Sequence, residues 1–241
     1  MNSIEKLWKN FLEEAITKGL WVEKDDGDEI CEIIDNHCFI PNIVEEVLGN
    51  QPCTPSLFLR LVEQGKFNIE GYPIMDTALA SYVASLDDSK QIYLGDDDSF
   101  VYTYPERLQC IKQVNRDGEV LDINQLDVIR DRLVEHIGSN RAVATLYMSG
   151  LDKDEQHIPC LNWVQALVRD DELCLHIVFR SNDLYSAFPS NMLFVQYVGL
   201  KLVDELREFY PYLRFSGVFY NSSSLHLYRG DFEQAKLVCG I

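Results

Sequence analysis

A cysteine and a short polar motif flank a pair of apolar stretches in the middle of the chain. Cys160 precedes the first stretch, and residues 180–183 (Arg-Ser-Asn-Asp) follow the second, which covers 173–179. The polar residues 169–172 between the stretches predict a turn, so we expect the two stretches to pair as a β-hairpin. Pairing places the thiol near the guanidinium, hydroxyl and carboxylate of the motif, at one edge of a sheet. Because a nearby cation favours the reactive thiolate, the pattern predicts chemistry at Cys160.

Arg180 directly follows the apolar run 174–179, which predicts a strand that is buried on both faces. A guanidinium in that position needs an anion as its partner. A carboxylate from this acid-rich chain would serve, and so would a phosphate held by two parallel hydrogen bonds. The local sequence leaves both partners open. Cys160 has a second interpretation too, as one more buried cysteine.

His226 and Tyr228 are two residues apart, so on a strand their side chains point to the same side. They are either polar groups at a sheet edge or a pair that hydrogen-bonds a sugar hydroxyl. Cys160 together with His157 or His226 would also suggest a thiol hydrolase. The sequence disfavours that alternative, because it shows neither a cysteine on a helix nor a third group to orient the histidine.

Composition and charge limit the classes of function. The chain has 241 residues, 46% hydrophobic and 25% charged, which is typical of a globular protein with one large domain. Its net charge of −18 opposes DNA or RNA binding, although two or three arginines in a pocket would bind a single nucleotide. No apolar run approaches about 18 residues and the N-terminal stretch is charged, so we expect a cytoplasmic protein without a membrane partner.

Neither the cysteines nor the acidic clusters indicate a metal site. Seven cysteines are present without a CxxC pair, so we expect neither a disulfide framework nor a zinc site. The aspartates at 96–98 have no Glu or His at ligand spacing after them and predict a solvated loop.

Hydrophobic periodicity predicts helices and strands in irregular order. Helices are predicted after a cap at Ser3, in two pieces within 43–65, from Asp76 to Leu86, over 122–137 and from Pro189 onward. Strands are predicted at 20–23, 29–40, 141–148, on either side of the central turn and at 213–220. A polar loop is predicted at 149–156, a turn at 221–224 and an exposed segment at 225–228. Without a regular βαβ alternation, the fold class is α+β around one large sheet.

These residues resemble the thymidylate synthase family, whose superfamily also contains the phage deoxycytidylate hydroxymethylases. Pro159 and Cys160 are similar to the family's nucleophile motif, and residues 180–183 are similar to its Arg-Ser-x-Asp motif at the same separation. Asn191 follows that motif at the family's spacing. The resemblance covers roughly residues 100–238.

Further positions extend the resemblance. It is strongest from 141 to 228, and VYTYPERL at 101–108 is similar to a stretch of the short, archaeal-type members. Many members have an arginine and a histidine where this chain has Asn140 and Leu161. Glu106 is the candidate for the family's pocket glutamate.

The resemblance implies a fold and a reaction. The fold would be a large mixed sheet flanked by helices, in a single domain over 1–241, and the protein would form a homodimer. The reaction would methylate a pyrimidine nucleoside monophosphate, dUMP to dTMP, through a covalent bond between Cys160 and C6 of the base. The cosubstrate would be 5,10-methylenetetrahydrofolate or a related reduced pterin, and no metal would take part.

The resemblance also implies roles for individual residues. The catalytic residues would be Cys160, Asn191, Asp183 and Tyr104. The nucleotide-binding residues would be Arg141 from the partner subunit, Arg180, Ser181, His226 and Tyr228. Asn191 would match O4 and N3–H of uracil, and Tyr104 would lie over the pyrimidine. The phage deoxycytidylate enzymes have an aspartate at the position of Asn191, so this residue favours uracil.

Two alternatives to methyl transfer stay open. The chain ends 15 residues after His226, whereas longer members use a further C-terminal segment to close over the folate and exclude water. Easier capture of water favours a 5-hydroxymethylase acting on dUMP, dCMP or CMP. A nucleotide-binding paralogue without catalysis is the second alternative, suggested by Asn140.

Overall fold

The computed structural model describes residues 1–74, 76–88, 102–155 and 157–241 of the chain. The aspartates at 96–98 and Val101 of the VYTYPERL stretch therefore lie outside the described residues. The helices are α1 (Ser3–Lys18), α2 (Glu45–Leu48), α3 (Pro55–Glu63), α4 (Asp76–Asp88), α5 (Tyr104–Gln109), α6 (Gln125–Glu135), α7 (Ser149–Asp152), α8 (Phe188–Leu206) and α9 (Phe232–Cys239). The strands are β1 (Leu20–Glu23), β2 (Glu29–Pro41), β3 (Ile111–Val114), β4 (Val120–Ile123), β5 (Val143–Thr145), β6 (Leu161–Arg169), β7 (Glu172–Phe179), β8 (Asn182–Asp183) and β9 (Arg214–Tyr228).

A mixed sheet forms the centre of the fold. Within the described residues it has seven strands, in the order β1-β2-β9-β7-β6-β5, with β8 paired to β9 after β7 ends. β7 and β8 run parallel to β9, and the other neighbours are antiparallel. The short strands β3 and β4 form a separate hairpin. The predicted α+β class, with a large mixed sheet flanked by helices in one domain, is confirmed.

Helices cover one face of the central strands and leave the other face open. In β7, Leu173, Leu175, Ile177 and Phe179 are buried, and the residues between them are only half-buried. Helix α8 joins β7 to the parallel strand β9 and is buried along almost its whole length. The prediction that both faces of β7 are buried was therefore wrong, because in the described part of the chain its outer face has no covering layer.

The hairpin that carries the central motifs forms as predicted. β6 and β7 pair in antiparallel register up to a tight turn at Asp170 and Asp171, which have φ values of 50° and 59°. Aspartate tolerates this left-handed conformation better than most residues with a side chain. The turn therefore fixes the register that brings Cys160 opposite the end of β7.

β9 is one continuous strand, so the predictions of a turn at 221–224 and of an exposed segment at 225–228 were wrong. β2 pairs with β9 from Gly217 to Tyr228, which supplies the backbone partners that a turn would have left free. Leu225 and Leu227 are fully buried. Gly217 lies at a break in register with φ of 141°, and an added Cβ would come within 2.3 Å of the carbonyl oxygen of Ile40. Only glycine fits this close approach of two strands.

Several predicted boundaries moved because a cap or a neighbouring element decided them. Asn2, not Ser3, caps α1 through a hydrogen bond to the N–H of Glu5. Asn124 caps α6, so the helix predicted from residue 122 begins at 125. The strand predicted over 141–148 is limited to 143–145, and the loop predicted from 149 begins with α7.

Candidate active site

Cys160 lies directly before β6, and its side chain is half-buried. The backbone N–H of Arg180, at the end of β7, donates to the carbonyl oxygen of Cys160 at 2.8 Å. This bond closes the open end of the hairpin and holds the two motifs side by side, as the sequence predicted. The register breaks between Leu161 and Trp163, which marks a bulge directly after the cysteine. Bulges of this kind re-aim a side chain next to a site.

Arg180 and Ser181 both direct a donor at the thiol. The Nη2 atom of Arg180 lies 3.7 Å from Sγ of Cys160, and the Ser181 hydroxyl lies 3.6 Å from it. The same guanidinium donates to the carbonyl oxygens of Ile158 at 2.9 Å and Pro159 at 3.1 Å. Arg180 therefore fixes the segment before the cysteine and also places a cation beside the sulfur, the surroundings typical of reactive cysteines.

The anion that was expected for Arg180 is not a carboxylate of the described residues. No aspartate or glutamate among them forms an ion pair with this guanidinium. The side chain is instead bound by carbonyl oxygens and hydroxyl and thiol groups, and the residue is exposed. A phosphate remains the second partner that the sequence suggested.

Most of the other cysteines are unsuited to nucleophilic chemistry. Burial raises the pKa of five thiols: Cys31, Cys38, Cys53, Cys174 and Cys239. For Cys38 and Cys53 the pKa reaches about 11. These thiols stay protonated near neutral pH, and the thiolate is the form that reacts. Cys110 is exposed at the end of α5.

Two tyrosines at the start of α5 flank Cys160: Tyr102 lies two residues before the helix and Tyr104 is its first residue. The Tyr102 hydroxyl donates to the carbonyl oxygen of Ile158 at 3.1 Å, and the Tyr104 hydroxyl accepts from the backbone N–H of Leu161 at 3.3 Å. Burial, followed by the charge of a Cys160 thiolate, raises the pKa of both tyrosines. Both hydroxyls therefore stay protonated near neutral pH. The sequence pointed to Tyr104, and Tyr102 was missed although it lies two residues away on the same stretch.

Aromatic rings continue this wall towards α8. The Tyr104 ring lies 6.2 Å from that of Tyr102 and 6.1 Å from that of Phe194, and Phe194 lies 5.5 Å from Tyr82. Offset or tilted aromatic rings at these separations form an apolar surface that accepts other flat rings. These rings are called the aromatic wall: Tyr82, Tyr102 and Tyr104, with the fully buried Phe194 packed behind them. The three tyrosine rings suit a heterocyclic ring.

Asn191 lies in the first turn of α8 and is 5% exposed. Its Oδ1 atom accepts a hydrogen bond from the Tyr82 hydroxyl of α4 at 2.7 Å. Its Nδ2 atom donates to Oδ1 of Asn182 at 3.0 Å. The amide keeps one further N–H and one lone pair, so it can still recognise a donor and an acceptor on a base. Tyr82 was missed by sequence reasoning, because its only local signal is a helical pattern far from the motifs.

Asp183 holds the turn that leads from β8 into α8. Its Oδ1 atom accepts the backbone N–H groups of Tyr185 at 3.0 Å and Ser186 at 3.1 Å. The Ser186 hydroxyl bonds its other oxygen. Burial raises the pKa of this carboxyl group, and the hydrogen bonds oppose that effect. The structure thus shows Asp183 positioning the helix that carries Asn191, and its predicted catalytic role stays a prediction.

His226 and Tyr228 lie on β9 next to the polar motif, since Asp183 of β8 pairs with His226. His226 is 5% exposed, and neither of its ring nitrogens has a hydrogen-bond partner among the described residues. Burial, followed by the charge of Lys24, lowers the pKa of His226 to about 4. The ring is therefore neutral near pH 7 and offers one donor and one acceptor.

Lys24 adds a cation that the sequence did not reveal. It follows β1 in the turn towards β2, and its Nζ atom donates to the Tyr228 hydroxyl at 3.3 Å. The ammonium group also lies 4.9 Å from the centre of the Tyr228 ring. Asp26 pairs with Lys24 at 2.6 Å. The turn reads as an acidic loop in the sequence, and only the pairing of β2 with β9 brings it to the site.

Arg141 and Glu106 are the remaining residues that the sequence predicted for the site. Arg141 lies exposed just before the edge strand β5, on the far side of β6 from β7. Glu106 lies in α5, and its Oε2 atom is buried without a hydrogen-bond partner among the described residues. The site of one chain therefore contains Cys160, Arg180 and Ser181 together, and the predicted contribution of Arg141 from a partner subunit stays a prediction.

Two other kinds of feature are absent from the described residues. No group of three or more His, Cys, Asp or Glu side chains could hold a metal ion there. None of the helices in that part of the chain is long and apolar enough to cross a membrane.

Comparisons with known proteins point to archaeal relatives. No family model matches the chain. A protein of Methanocaldococcus jannaschii named “Putative thymidylate synthase” is 30% identical over 173 residues, which cover 69% of this chain and 71% of that protein. Proteins of the same name from Methanothermobacter marburgensis and Methanothermobacter thermautotrophicus are 24% and 25% identical over 241 residues. These two alignments cover 99% of this chain and 96% of each relative.

Proposed function

Because the chain belongs to the thymidylate synthase family, we propose that it is a folate-dependent C5 methyltransferase that converts dUMP to dTMP. The observation that carries this proposal is the convergence of donors on Cys160. Arg180 and Ser181 reach its sulfur at 3.7 Å and 3.6 Å, and the aromatic wall lies beside it. A nucleophile, a cation and a surface for a flat ring are what covalent attack on a pyrimidine requires.

The sulfur of Cys160 forms a bond to C6 of uracil, and the electron pair of the C5–C6 bond moves towards O4. A donor near O4 must stabilise the negative charge that develops there, and the free N–H of Asn191 would supply it. C5 then becomes a nucleophile. In this reaction 5,10-methylenetetrahydrofolate supplies the one-carbon unit and a hydride. The C5 proton must leave before Cys160 is released, and the hydroxyls of Tyr102 and Tyr104 are the candidates to relay it.

The nucleotide would bind across the end of the hairpin. His226 is buried, none of the described residues bonds its ring nitrogens, and a buried polar side chain of this kind calls for a partner. A sugar hydroxyl fits it, with Tyr228 on the same side of β9. The guanidinium of Arg180, the hydroxyl of Ser181 and the ammonium of Lys24 would bind the phosphate, because charged donors bind it most strongly.

Arg141 would complete the phosphate site from a second copy of the chain. The outer face of the sheet presents Phe39 and Phe219, which are 45% and 46% exposed and lie 4.9 Å apart. His176 stacks on Phe219 at 4.6 Å. An exposed apolar face on a central sheet suits an isologous dimer, in which the same surface is used twice. We therefore propose a homodimer through this face.

Tritium release tests the reaction directly. Incubation with 5-tritiated dUMP and 5,10-methylenetetrahydrofolate should release tritium to water and form dihydrofolate. Cys160→Ser should abolish release and still bind dUMP, because the alcohol is a far weaker nucleophile than the thiolate. Cys110→Ser changes an exposed cysteine outside the site and should keep the wild-type rate.

The products separate the candidate reactions. Release of tritium without dihydrofolate, together with a hydroxymethylated product, would replace methyl transfer by hydroxymethylation. No release from dUMP, dCMP, UMP or CMP would exclude catalysis of this kind. A Cys160→Ser variant that still released tritium would rule out covalent attack by this sulfur.

A further inference from the structure

Asn162 is the extra residue of the bulge that follows Cys160. Leu161 and Trp163 pair with two consecutive residues at the end of β7, so Asn162 between them has no partner on that strand. Its backbone carbonyl oxygen instead accepts the N–H of Leu146, the residue after β5, at 2.9 Å. The extra residue is therefore held from the β5 side of the strand, and the ladder with β7 continues past it.

This extra residue shifts the alternation of side chains along β6 by one position. Side chains two residues apart on a strand share a face, and every second residue from Val164 to Val168 is buried. An uninterrupted strand would therefore place Asn162 and Cys160 in the same buried row. In the structure Leu161 is buried instead, and Cys160 is only half-buried. The bulge thus takes the thiol out of the buried row.

The side chain of Asn162 closes the bulge. Its Nδ2 atom donates to the carbonyl oxygen of Pro159 at 2.8 Å. A carbonyl oxygen only accepts hydrogen bonds, so the amide must present its NH2 group here. The same oxygen accepts Nε of Arg180 at 3.1 Å, and Nη2 of that guanidinium lies 3.7 Å from Sγ of Cys160. Cys160 therefore lies in a short loop whose two ends are bonded to each other and to the cation beside its sulfur.

We propose that Asn162 is a positioning residue for the Cys160 nucleophile. Its bond to Pro159 favours the bulged register over the regular one, in which the thiol would join the buried row. This inference rests on the proposed function, because it takes Cys160 as the nucleophile. It goes further by assigning the direction of the thiol to a side chain that acts through the backbone.

Asn162→Leu tests the inference, because it removes the hydrogen bond and keeps a side chain of similar size. Part of the molecules should then adopt the regular register, so iodoacetamide should alkylate Cys160 at neutral pH more slowly, by about fivefold or more. Mass spectrometry of the digested protein measures each cysteine separately. The kcat of tritium release should fall by a similar factor. The KM for dUMP should stay close to the wild-type value, because both registers keep His226 and Tyr228 on β9.

Asn42→Leu is the matched control. The Nδ2 atom of Asn42 also donates to a backbone carbonyl oxygen, that of Phe215, at 3.1 Å. Phe215 pairs with Leu173 at the turn end of β7, and Cys160 lies opposite the other end of that strand. The same substitution should therefore lower stability there and leave both the alkylation of Cys160 and the kcat at their wild-type values.

The buried thiols of Cys31 and Cys53 report on folding in the same digest. A variant that unfolds would expose them, and their alkylation would become fast. If Asn162→Leu is unfolded by this criterion, Asn162→Ala removes the same bond without a large apolar side chain and takes its place.

The alkylation needs no substrate, so its outcome is separate from that of the proposed function. Unchanged or faster alkylation of Cys160 in a folded Asn162 variant would overturn the positioning role. If the wild-type protein released no tritium and Asn162→Leu still slowed alkylation of Cys160, the methyltransferase would be excluded and the positioning of the thiol supported.

Discussion

His226 shows at the scale of one residue how the site is prepared for a ligand. The imidazole is buried, and none of the described residues bonds its nitrogens. Burial and the charge of Lys24 lower its pKa from 6.5 to about 4. The protein thus keeps a neutral ring with an unused donor and acceptor, at a cost in stability that a hydrogen-bonded ligand would offset.

The sign of this pKa shift predicts a pH dependence of stability. Between pH 6.5 and about 4 the unfolded chain binds a proton at His226 that the folded chain does not, so lowering the pH favours unfolding. Relative to pH 7, the loss in the free energy of unfolding that His226 causes should approach about 3 kcal/mol below pH 4. Above pH 6.5 this residue causes no such loss. Urea unfolding of wild type and His226→Gln at several pH values measures the difference.

The same series contains its own control. His136→Gln replaces an exposed histidine after α6 and should follow the wild-type curve. If His226→Gln lost stability in parallel with the wild type between pH 7 and pH 4, the buried ring would not be neutral in the folded protein.

Sequence reasoning was most complete for residues close together in the chain. Cys160, Arg180 and Ser181 share one hairpin, and the turn between its strands fixes their register, so their proximity could be predicted. Tyr82 and Lys24 come from a helix and a turn far upstream. Their positions depend on how α4 packs on α8 and on how β2 pairs with β9, which local sequence does not encode.

At the scale of elements, a buried ion pair holds the segment that carries the two site tyrosines. Arg107 of α5 pairs with Asp152 at the end of α7 at 2.5 Å, and their side chains are 8% and 1% exposed. Asp152 also accepts the backbone N–H of Met148 at 2.6 Å. The Arg107 guanidinium lies 5.6 Å from the centre of the Tyr102 ring. The pair therefore ties Tyr102 and α5 to the loop after β5.

Removing one partner of this pair should be strongly destabilising. Arg107→Met leaves the Asp152 carboxylate buried without its cation, so we expect a loss of about 3 to 5 kcal/mol in the free energy of unfolding. Adding Asp152→Asn removes the stranded charge and keeps a side-chain acceptor for Met148. The double variant should recover part of that loss. Denaturant unfolding at neutral pH measures all three proteins.

An exposed pair provides the comparison for this prediction. Lys112 and Asp122 bridge the β3/β4 hairpin at 4.0 Å, with side chains 74% and 75% exposed. Lys112→Met should change stability by no more than about 0.5 kcal/mol, because water screens such pairs. An Arg107→Met variant as stable as Lys112→Met would mean that the buried pair does not hold the segment.

Helices and strands were predicted well where hydrophobic periodicity determines the element. They were predicted poorly where pairing with a distant strand determines it. The amphipathic pattern after Pro189 gave α8 correctly, because a helix bonds its own backbone. The serines at 222–224 resemble a turn in sequence, but β2 offers them a ladder of backbone partners, and the hydroxyls of Ser222 and Ser224 find acceptors at the Ser224 carbonyl and Glu32. Long-range pairing thus overrode a local turn signal.

At the scale of the whole molecule, the sheet separates a covered face from an open one. The covered face carries the core beneath α8. The open face presents the half-buried residues of β7, among them Cys174, His176 and Val178, and the exposed rings of Phe39 and Phe219. Burial lowers the pKa of His176, which favours the neutral ring and so suits an apolar contact. These features belong to the face that we propose as the dimer interface.

A charge in the centre of the open face should have two linked effects: it should separate the subunits and, as a consequence, abolish the reaction. Phe219→Glu would place two carboxylates in the proposed interface, related by its twofold axis, where neither has a cation among the face residues of β7. Arg141 would then no longer reach the partner's site. We expect sedimentation equilibrium to show a monomer and tritium release to be lost. Thermal melting should show that the monomeric variant is still folded. Tyr212→Glu also replaces an aromatic ring with a carboxylate, at a residue that is 83% exposed in the loop before β9, and this variant should remain a dimer with wild-type activity. A monomeric Phe219→Glu variant that kept full activity would show that each chain completes its own site and that Arg141 has no role across the interface.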